Sequence, residues 1–531
     1  MAATTKSGID KSRKYDRQLR LWGDHGQAAL ESARVCLINA TATGTEILKN
    51  LILPGIGSFT IVDGNKVSGE DVGNNFFLSK ESLGKSRAQV ATDLLSELNE
   101  DVTGDFVEES PEKLLETNRD VFTSFSIVVA TDVCERTLLQ LGDLLWERNI
   151  PLIVCRCYGF IGYMRLVARE HTVVESHPDN AFDDLRLADP FPGLVEYCDS
   201  LDLNTMNKKV CSSSVLSAHA YLFGDRTGRI LRNEDGIPED EENFEEAVIH
   251  VNAALVAMPI PSEVKILFDD DNCCNLHPES KSFWILVRAI KEFVGKEGKG
   301  KLPLRGTIPD MTSDSMRYIQ LQNVYRSQAA EDVITVTGHV QELLQEIGRD
   351  EPLNLPTRHD FTSVKSVTET ITDGDIKMYC RNAAFLRVVR CRSLQEEYNN
   401  ETANVQEIGM HLEDEEGDDV VFYVMLRAVD KFYEEFNRYP GWYNDQVEAD
   451  VARLKTCVGR VLHDWGLTPT VKDDYIHEMC RYGASELHTV SAFMGGVVAQ
   501  EVIKIITGQF LPFNNTFIYN AMKQTSSTVC L

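Results

Sequence analysis

The sequence predicts an α/β protein: a Rossmann-like, mainly parallel sheet that carries a large, mostly helical insertion. Three observations support this. Apolar, β-branched runs alternate with segments of helical period over the first part of the chain. From about Pro190 the texture becomes helical, with proline and acidic loops between long segments. The last part returns to an α/β texture. The expected division is 1–190, 191–482 and 483–531, with the middle part inserted into one α/β domain.

The strands are expected at 35–38, 59–62, 127–130 and 152–154. The helices between them are expected at 44–53, 86–98 and 135–146. Pro54-Gly55 closes the first helix, because neither residue continues a helical turn. Residues 161–167 alternate like an antiparallel strand, with 172–175 as a candidate partner. Helical spacing marks 245–256, 283–294, 314–346 and 422–436 in the insertion. Near the end, 491–507 reads as a strongly apolar helix and 516–519 as a strand. Gly495-Gly496 lies inside that helix at a cost of about 1 kcal/mol per glycine. Close packing against another element, in this chain or a second one, would offset that cost.

Composition excludes several classes. The 531 residues carry a formal charge of −29, so nonspecific nucleic-acid binding is not expected. The acidic runs, Glu239 to Glu242 and Glu413 to Asp419, read as solvated faces. The 13 cysteines include no C-x-x-C pair, so no zinc site is expected. Reduced thiols fit the cytoplasm or nucleus. Cys155 and Cys157 read as core thiols on a buried strand. No apolar run is read as reaching the ~20 residues that cross a bilayer, so no transmembrane segment is expected.

The turn after the first strand carries the chemistry. Where a nucleotide-binding fold places G-x-G-x-x-G, this chain has Asn39-Ala40-Thr41-Ala42-Thr43-Gly44. Only the last glycine is present, the one that lets helix and strand pack closely. Side chains now stand where backbone N–H groups would approach a phosphate.

Lys14-Tyr15-Asp16-Arg17-Gln18-Leu19-Arg20-Leu21-Trp22-Gly23 resembles the opening of ubiquitin-like-modifier-activating enzymes. Leu83-Gly84-Lys85-Ser86-Arg87-Ala88 resembles that family's G-K-x-K-A helix start, and Ala130-Thr131-Asp132 its A-x-D. Glu486-Leu487-His488 through Gly495-Gly496 to Glu501-Val502-Ile503-Lys504 resembles its closing segment. The resemblance implies an adenylation-type fold. The departures imply the non-adenylating half. Asn74 replaces an expected arginine, Arg87 replaces a lysine, and no cysteine stands in a P-x-C-T segment. Asp63 and Asp132 remain. The expected degenerate pocket is therefore Asn39, Thr41, Gly44, Asp63, Asn74, Arg87 and Asp132, with no cofactor and no metal in this chain. ATP and Mg are expected on the partner.

The length of the insertion, and Leu302-Pro303-Leu304-Arg305-Gly306-Thr307-Ile308-Pro309-Asp310-Met311 within it, resemble the neddylation branch of the family. That resemblance implies a regulatory chain in a heterodimer, with Arg17 reaching the ATP phosphates of the catalytic activating-enzyme subunit. Arginine suits this task because its planar fork holds two oxygens. Glu331, Val333, Leu343, Leu344, Gly495 and Gly496 are the expected interface residues; an internal helix pair is the alternative for the first four. The ubiquitin-like modifier, a conjugating enzyme and the tail of amyloid precursor protein are further candidate partners. The last would add membrane association through a receptor tail. A self-sufficient adenylating enzyme, a dinucleotide-dependent oxidoreductase and a scaffold remain alternatives.

Overall fold

Ten strands and a larger set of helices appear in a computed structural model that describes residues 11–178, 184–200, 257–309, 315–349, 370–413, 419–468 and 471–531. The strands are β1 Arg34–Ile38, β2 Ser58–Val62, β3 Thr103–Val107, β4 Ile127–Thr131, β5 Leu152–Tyr158, β6 Ile161–Val167, β7 His171–Val173, β8 Arg387–Val389, β9 Thr516–Asn520 and β10 Thr525–Val529. Eight of them form one sheet in the order β10-β9-β6-β5-β4-β1-β2-β3. The five strands from β3 to β5 in that order run parallel, with Cys36 of β1 opposite Thr60 on one side and Val128 on the other. β6, β9 and β10 extend it antiparallel.

The chain divides into two compact units, Met1–His171 with Val389–Leu531, and Thr172–Val388. The first contains the sheet. Its longer helices are α1 Asp16–Ser32, α2 Ala42–Ile52, α3 Arg87–Ser96 and α4 Glu135–Glu147, and, after the second unit, further ones described below. Successive side chains of a strand point to opposite faces. Val35, Leu37, Ile61, Val129 and Ile153 pack one way, with Ile47 and Leu51 of α2. Cys36, Ile38, Val62, Val128 and Ala130 pack the other way, with Leu141 and Leu145 of α4. Cover on both faces is why these strands read as continuous apolar runs.

The second unit includes α5 Ser282–Gly295, α6 Ser315–Glu346 and α7 Asp373–Arg381. Phe283, Trp284 and Ile290 of α5 meet Val336, Val340, Leu343 and Leu344 of α6 in one core. A smaller core gathers Leu185, Leu194 and Leu321 around Tyr325, whose hydroxyl donates to the Leu185 carbonyl at 2.6 Å.

Returning to the first unit, the chain forms α8 Val421–Phe436, α9 Val447–Asp464, α10 Asp473–Tyr482 and α11 His488–Thr507. Here the boundaries differ from those expected. Residues 389–482 do not belong with the insertion. Phe422, Met425 and Val429 of α8, Leu454 and Val458 of α9, and Ile476 of α10 share a core with Tyr158, Ile161 and Ile518 of the sheet. The break in texture at Pro190 is also later than the break in packing, which follows His171. Residues 172–175 do not pair with β6 as expected: β7 pairs with β8 in a separate two-stranded sheet, while β6 lies between β5 and β9. The helix expected at 245–256 lies outside the described residues.

By length and composition α11 is apolar enough to cross a membrane, which corrects the expectation that no such run occurs. Val490, Met494, Val498 and Val502 of this helix are buried in the core with α2 and the sheet. Its apolarity serves that core.

Candidate functional site

The strand order reverses between β1 and β4, since β2 and β3 follow on one side and β5 on the other. In open α/β sheets the crevice outside the carboxyl ends of such strands is the place for ligands. Here the turn from β1 to α2 fills it with internal hydrogen bonds. Asn39 takes a left-handed φ of 65°, and its Nδ2 donates to the carbonyls of Thr131 and Asp132, both at 2.9 Å. The Ala40 N–H donates to Asp63 Oδ2 at 2.9 Å. Thr41 is the N-cap of α2: its Oγ1 accepts the Gly44 N–H at 3.1 Å and donates to Thr131 Oγ1 at 3.2 Å. A cap hydroxyl thus takes an N–H group that a phosphate would meet in an intact site. A Cβ on Gly44 would lie 2.7 Å from the Asn39 carbonyl oxygen, so the close approach of helix and strand requires glycine.

Asp63 directly follows β2 and has a fully buried side chain. Arg87, at the start of α3, reaches it with Nε 2.6 Å from Oδ2, while Nη1 lies 3.0 Å from Asp71 Oδ1. Burial works against the Arg87 charge, and the two carboxylates more than reverse that, holding it above the ordinary arginine value. Asp71 also closes a capping box with Ser68 on the short helix Gly69–Asn74.

Asn74 ends that short helix. Its Nδ2 donates to the Glu486 carbonyl at 3.3 Å, and its own carbonyl is 3.2 Å from His488 Nδ1. Glu486 reaches in from the segment before α11, and its Oε1 accepts from Thr43 Oγ1 at 2.7 Å. Burial, helped by the nearby Asp132 charge and opposed by the Thr43 hydrogen bonds, pushes the Glu486 carboxyl up to about 7. Asp132, exposed at the end of β4, accepts the Tyr439 hydroxyl on Oδ1 at 2.6 Å. The seven expected pocket residues are joined to the β1–α2 turn by hydrogen bonds, directly or through Asp63 and Glu486, and Asp71, Tyr439 and Glu486 belong to the same network. Glu486 opens the segment that resembles the family's closing one; Tyr439, in Arg438-Tyr439-Pro440-Gly441, carries no signal in the sequence beyond a turn.

The remaining site residues fall elsewhere. Arg17 is exposed on α1, and among the described residues its guanidinium takes no ion-pair partner; neighbouring Asp16 is held by Arg20 at 2.7 Å. Leu343 and Leu344 are 7% and 3% exposed inside the second unit, which corrects their expected place at an interface and matches the internal-helix alternative. Val333 packs against the same core, and Glu331 is exposed. Gly495 also needs no second chain. A Cβ there would lie 2.7 Å from Glu46 Cβ and 3.0 Å from the Glu46 carbonyl carbon of α2, whereas one on Gly496 would meet nothing within 4 Å. Cys155 and Cys157 are buried in β5, and burial raises both thiols, Cys157 to about 12. Among the described residues no group of His, Cys, Asp and Glu is arranged to hold a metal.

A mainly parallel sheet whose order reverses beside a capped strand–turn–helix fits an adenylation-type fold, and the chain belongs to the ThiF family, whose model matches residues 15–531. Full-length relatives narrow this to the NEDD8-activating enzyme E1 regulatory subunits. The chain is 56% identical to that subunit from Xenopus laevis over 542 residues, covering 98% of each chain. It is 55% identical to the one from Gallus gallus and 33% identical to the one from Caenorhabditis elegans, each over 98% of this chain and 98–99% of the relative. Among solved structures, SeMet PaaA aligns with a TM-score of 0.26 at 17% identity, covering 31% of this chain and 54% of that chain.

Proposed function

We propose that this chain is the non-adenylating half of a heterodimeric activating enzyme for a ubiquitin-like modifier. It supports adenylation and thioester formation on a catalytic partner, which binds ATP and Mg. The observation that carries this reading is the state of the two carboxylates kept from an intact pocket. Asp63 is closed by Arg87 and the Ala40 N–H, and Asp132 by Tyr439. The cap at Thr41 takes a helix N–H, and the Arg87 guanidinium is engaged by Asp63 and Asp71. A nucleotide at this turn would compete with these internal partners, and drawing Arg87 away would leave the buried Asp63 charge unpaired at a cost of about 3–5 kcal/mol.

Adenylation joins the modifier's carboxylate to the α-phosphate of ATP, and charge builds on the departing pyrophosphate. A guanidinium supplied from a second chain stabilises that charge. Arg17 is suited to this: it is exposed, unpaired among the described residues, and carried on a helix.

Reconstitution tests both points. This chain, its catalytic partner, and the mixture are each given ATP and the modifier. Thioester is expected only in the mixture, carried on the partner. Pyrophosphate exchange by this chain alone would end the proposal. Arg17→Ala in the mixture is expected to slow pyrophosphate exchange roughly a hundred-fold or more, with heterodimer formation and thermal stability unchanged.

A further inference from the structure

On the α4 side of the sheet a small cavity lies between β5, α4 and α8. Its volume is about 30 Å³, and its polar lining includes Asp132, Glu135, Arg156, Tyr163, Arg427 and Asp430. Two guanidiniums face it with part of their hydrogen-bonding capacity unused. The Arg427 side chain is 6% exposed; its Nη1 donates to Glu135 Oε2 at 2.8 Å, its plane lies over the Tyr398 ring, and its Nε has no partner among the described residues. Arg156 donates from Nη1 to Asp430 Oδ1 at 2.7 Å and lies over the Tyr158 and Tyr439 rings, while its buried Nη2 has no partner among the described residues.

We propose that this cavity is a binding site for a neutral, water-sized hydrogen-bond acceptor, occupied by ordered water. Size sets the first limit: one water needs roughly 10–15 Å³ of such space, so about two fit and a larger polar ligand does not. Hydrogen bonding sets the second: the two open groups are both donors, so the occupant must offer acceptors. Charge decides between water and a small anion. The two guanidiniums, Arg156 and Arg427, are already matched by Asp430 and Glu135. An added anion would leave one buried charge without a counterpart, which a low-dielectric site disfavours. Water has lone pairs for both donors and adds no charge. It would also join β5 to α8 through Arg156 and Arg427, next to the Asp132–Tyr439 contact at the crevice.

The test is a crystal structure of the full chain at a resolution that shows ordered water, grown with bromide replacing chloride and measured at the bromine edge. The expected result is compact density within hydrogen-bonding distance of Arg427 Nε and Arg156 Nη2, with no anomalous signal. An anomalous peak there would make the site anionic and overturn the proposal. So would an absence of density, or rotation of either guanidinium to pair its free donor with a carboxylate.

Discussion

Arg87 and Asp63 meet inside the first unit with Nε 2.6 Å from Oδ2, and the same guanidinium spans to Asp71 at 3.0 Å. A residue that reads in sequence as a lost phosphate contact is a strut between β2, the short helix Gly69–Asn74 and α3. Arg87→Ala leaves two carboxylates facing each other, one of them fully buried. The expected loss is about 3–5 kcal/mol, read by urea denaturation of the chain alone. Arg87→Lys should recover only part, because an ammonium cannot copy the two-way fork.

The adjacent glycines of α11 should respond with opposite signs. Gly495→Ala drives a methyl to 2.7 Å from Glu46 Cβ and 3.0 Å from its backbone carbon. It should destabilise the chain by about 1–3 kcal/mol. Gly496→Ala meets nothing within 4 Å and should stabilise it by up to about 1 kcal/mol. Thermal unfolding of the two variants side by side decides the matter; equal shifts would show that α2 does not press on Gly495.

Glu486 gives the crevice a pH dependence. Its carboxyl titrates near 7 in the folded chain against an ordinary 4.5. Between those values the folded state keeps a proton that the unfolded state has released. This group's contribution to stability is therefore full below pH 4.5, falls as pH rises towards 7, and stays low above it. Glu486→Gln removes the titration and can still accept from Thr43. The variant should gain on the wild type as pH rises from 5 to 8, by on the order of 1–3 kcal/mol. Parallel denaturation curves over that range would contradict the assignment.

Leu344 separates internal packing from partner contact. Leu344→Ala opens a gap in the core it shares with Phe283 and Trp284. It should cost about 2–5 kcal/mol, visible as a lowered unfolding temperature of the chain with no partner present. A normal unfolding temperature with impaired heterodimer formation would return Leu344 to an interface.

Much of the sheet was legible because β1, β2, β4 and β5 are buried on both faces and so form continuous apolar runs. β3 and β10 were not. Thr103-Gly104-Asp105-Phe106-Val107 and Thr525-Ser526-Ser527-Thr528-Val529 are the two edges of the sheet, and their polar residues look like loop. The placement of 389–482 was illegible for another reason. Helical period gives α8 an apolar face but does not say that Tyr158 and Ile518 will cover it. At this turn, Asn39 and Thr41 could be found because they follow a recognisable strand, and Asp63, Arg87 and Asp132 because they fall in segments that resemble the family's motifs. Tyr439 could not, since only tertiary packing brings it to Asp132 from 307 positions away.

The position of β9 has a consequence for biogenesis. It lies between β6 and β10, so residues 161–165 pair with residues 516–520. A nascent chain that has emerged as far as α9 still exposes the bare backbone edge of β6, a surface prone to wrong pairing. The architecture therefore cannot close during translation of its N-terminal part. The edge of β6 stays open to wrong pairing until β9 has left the ribosome.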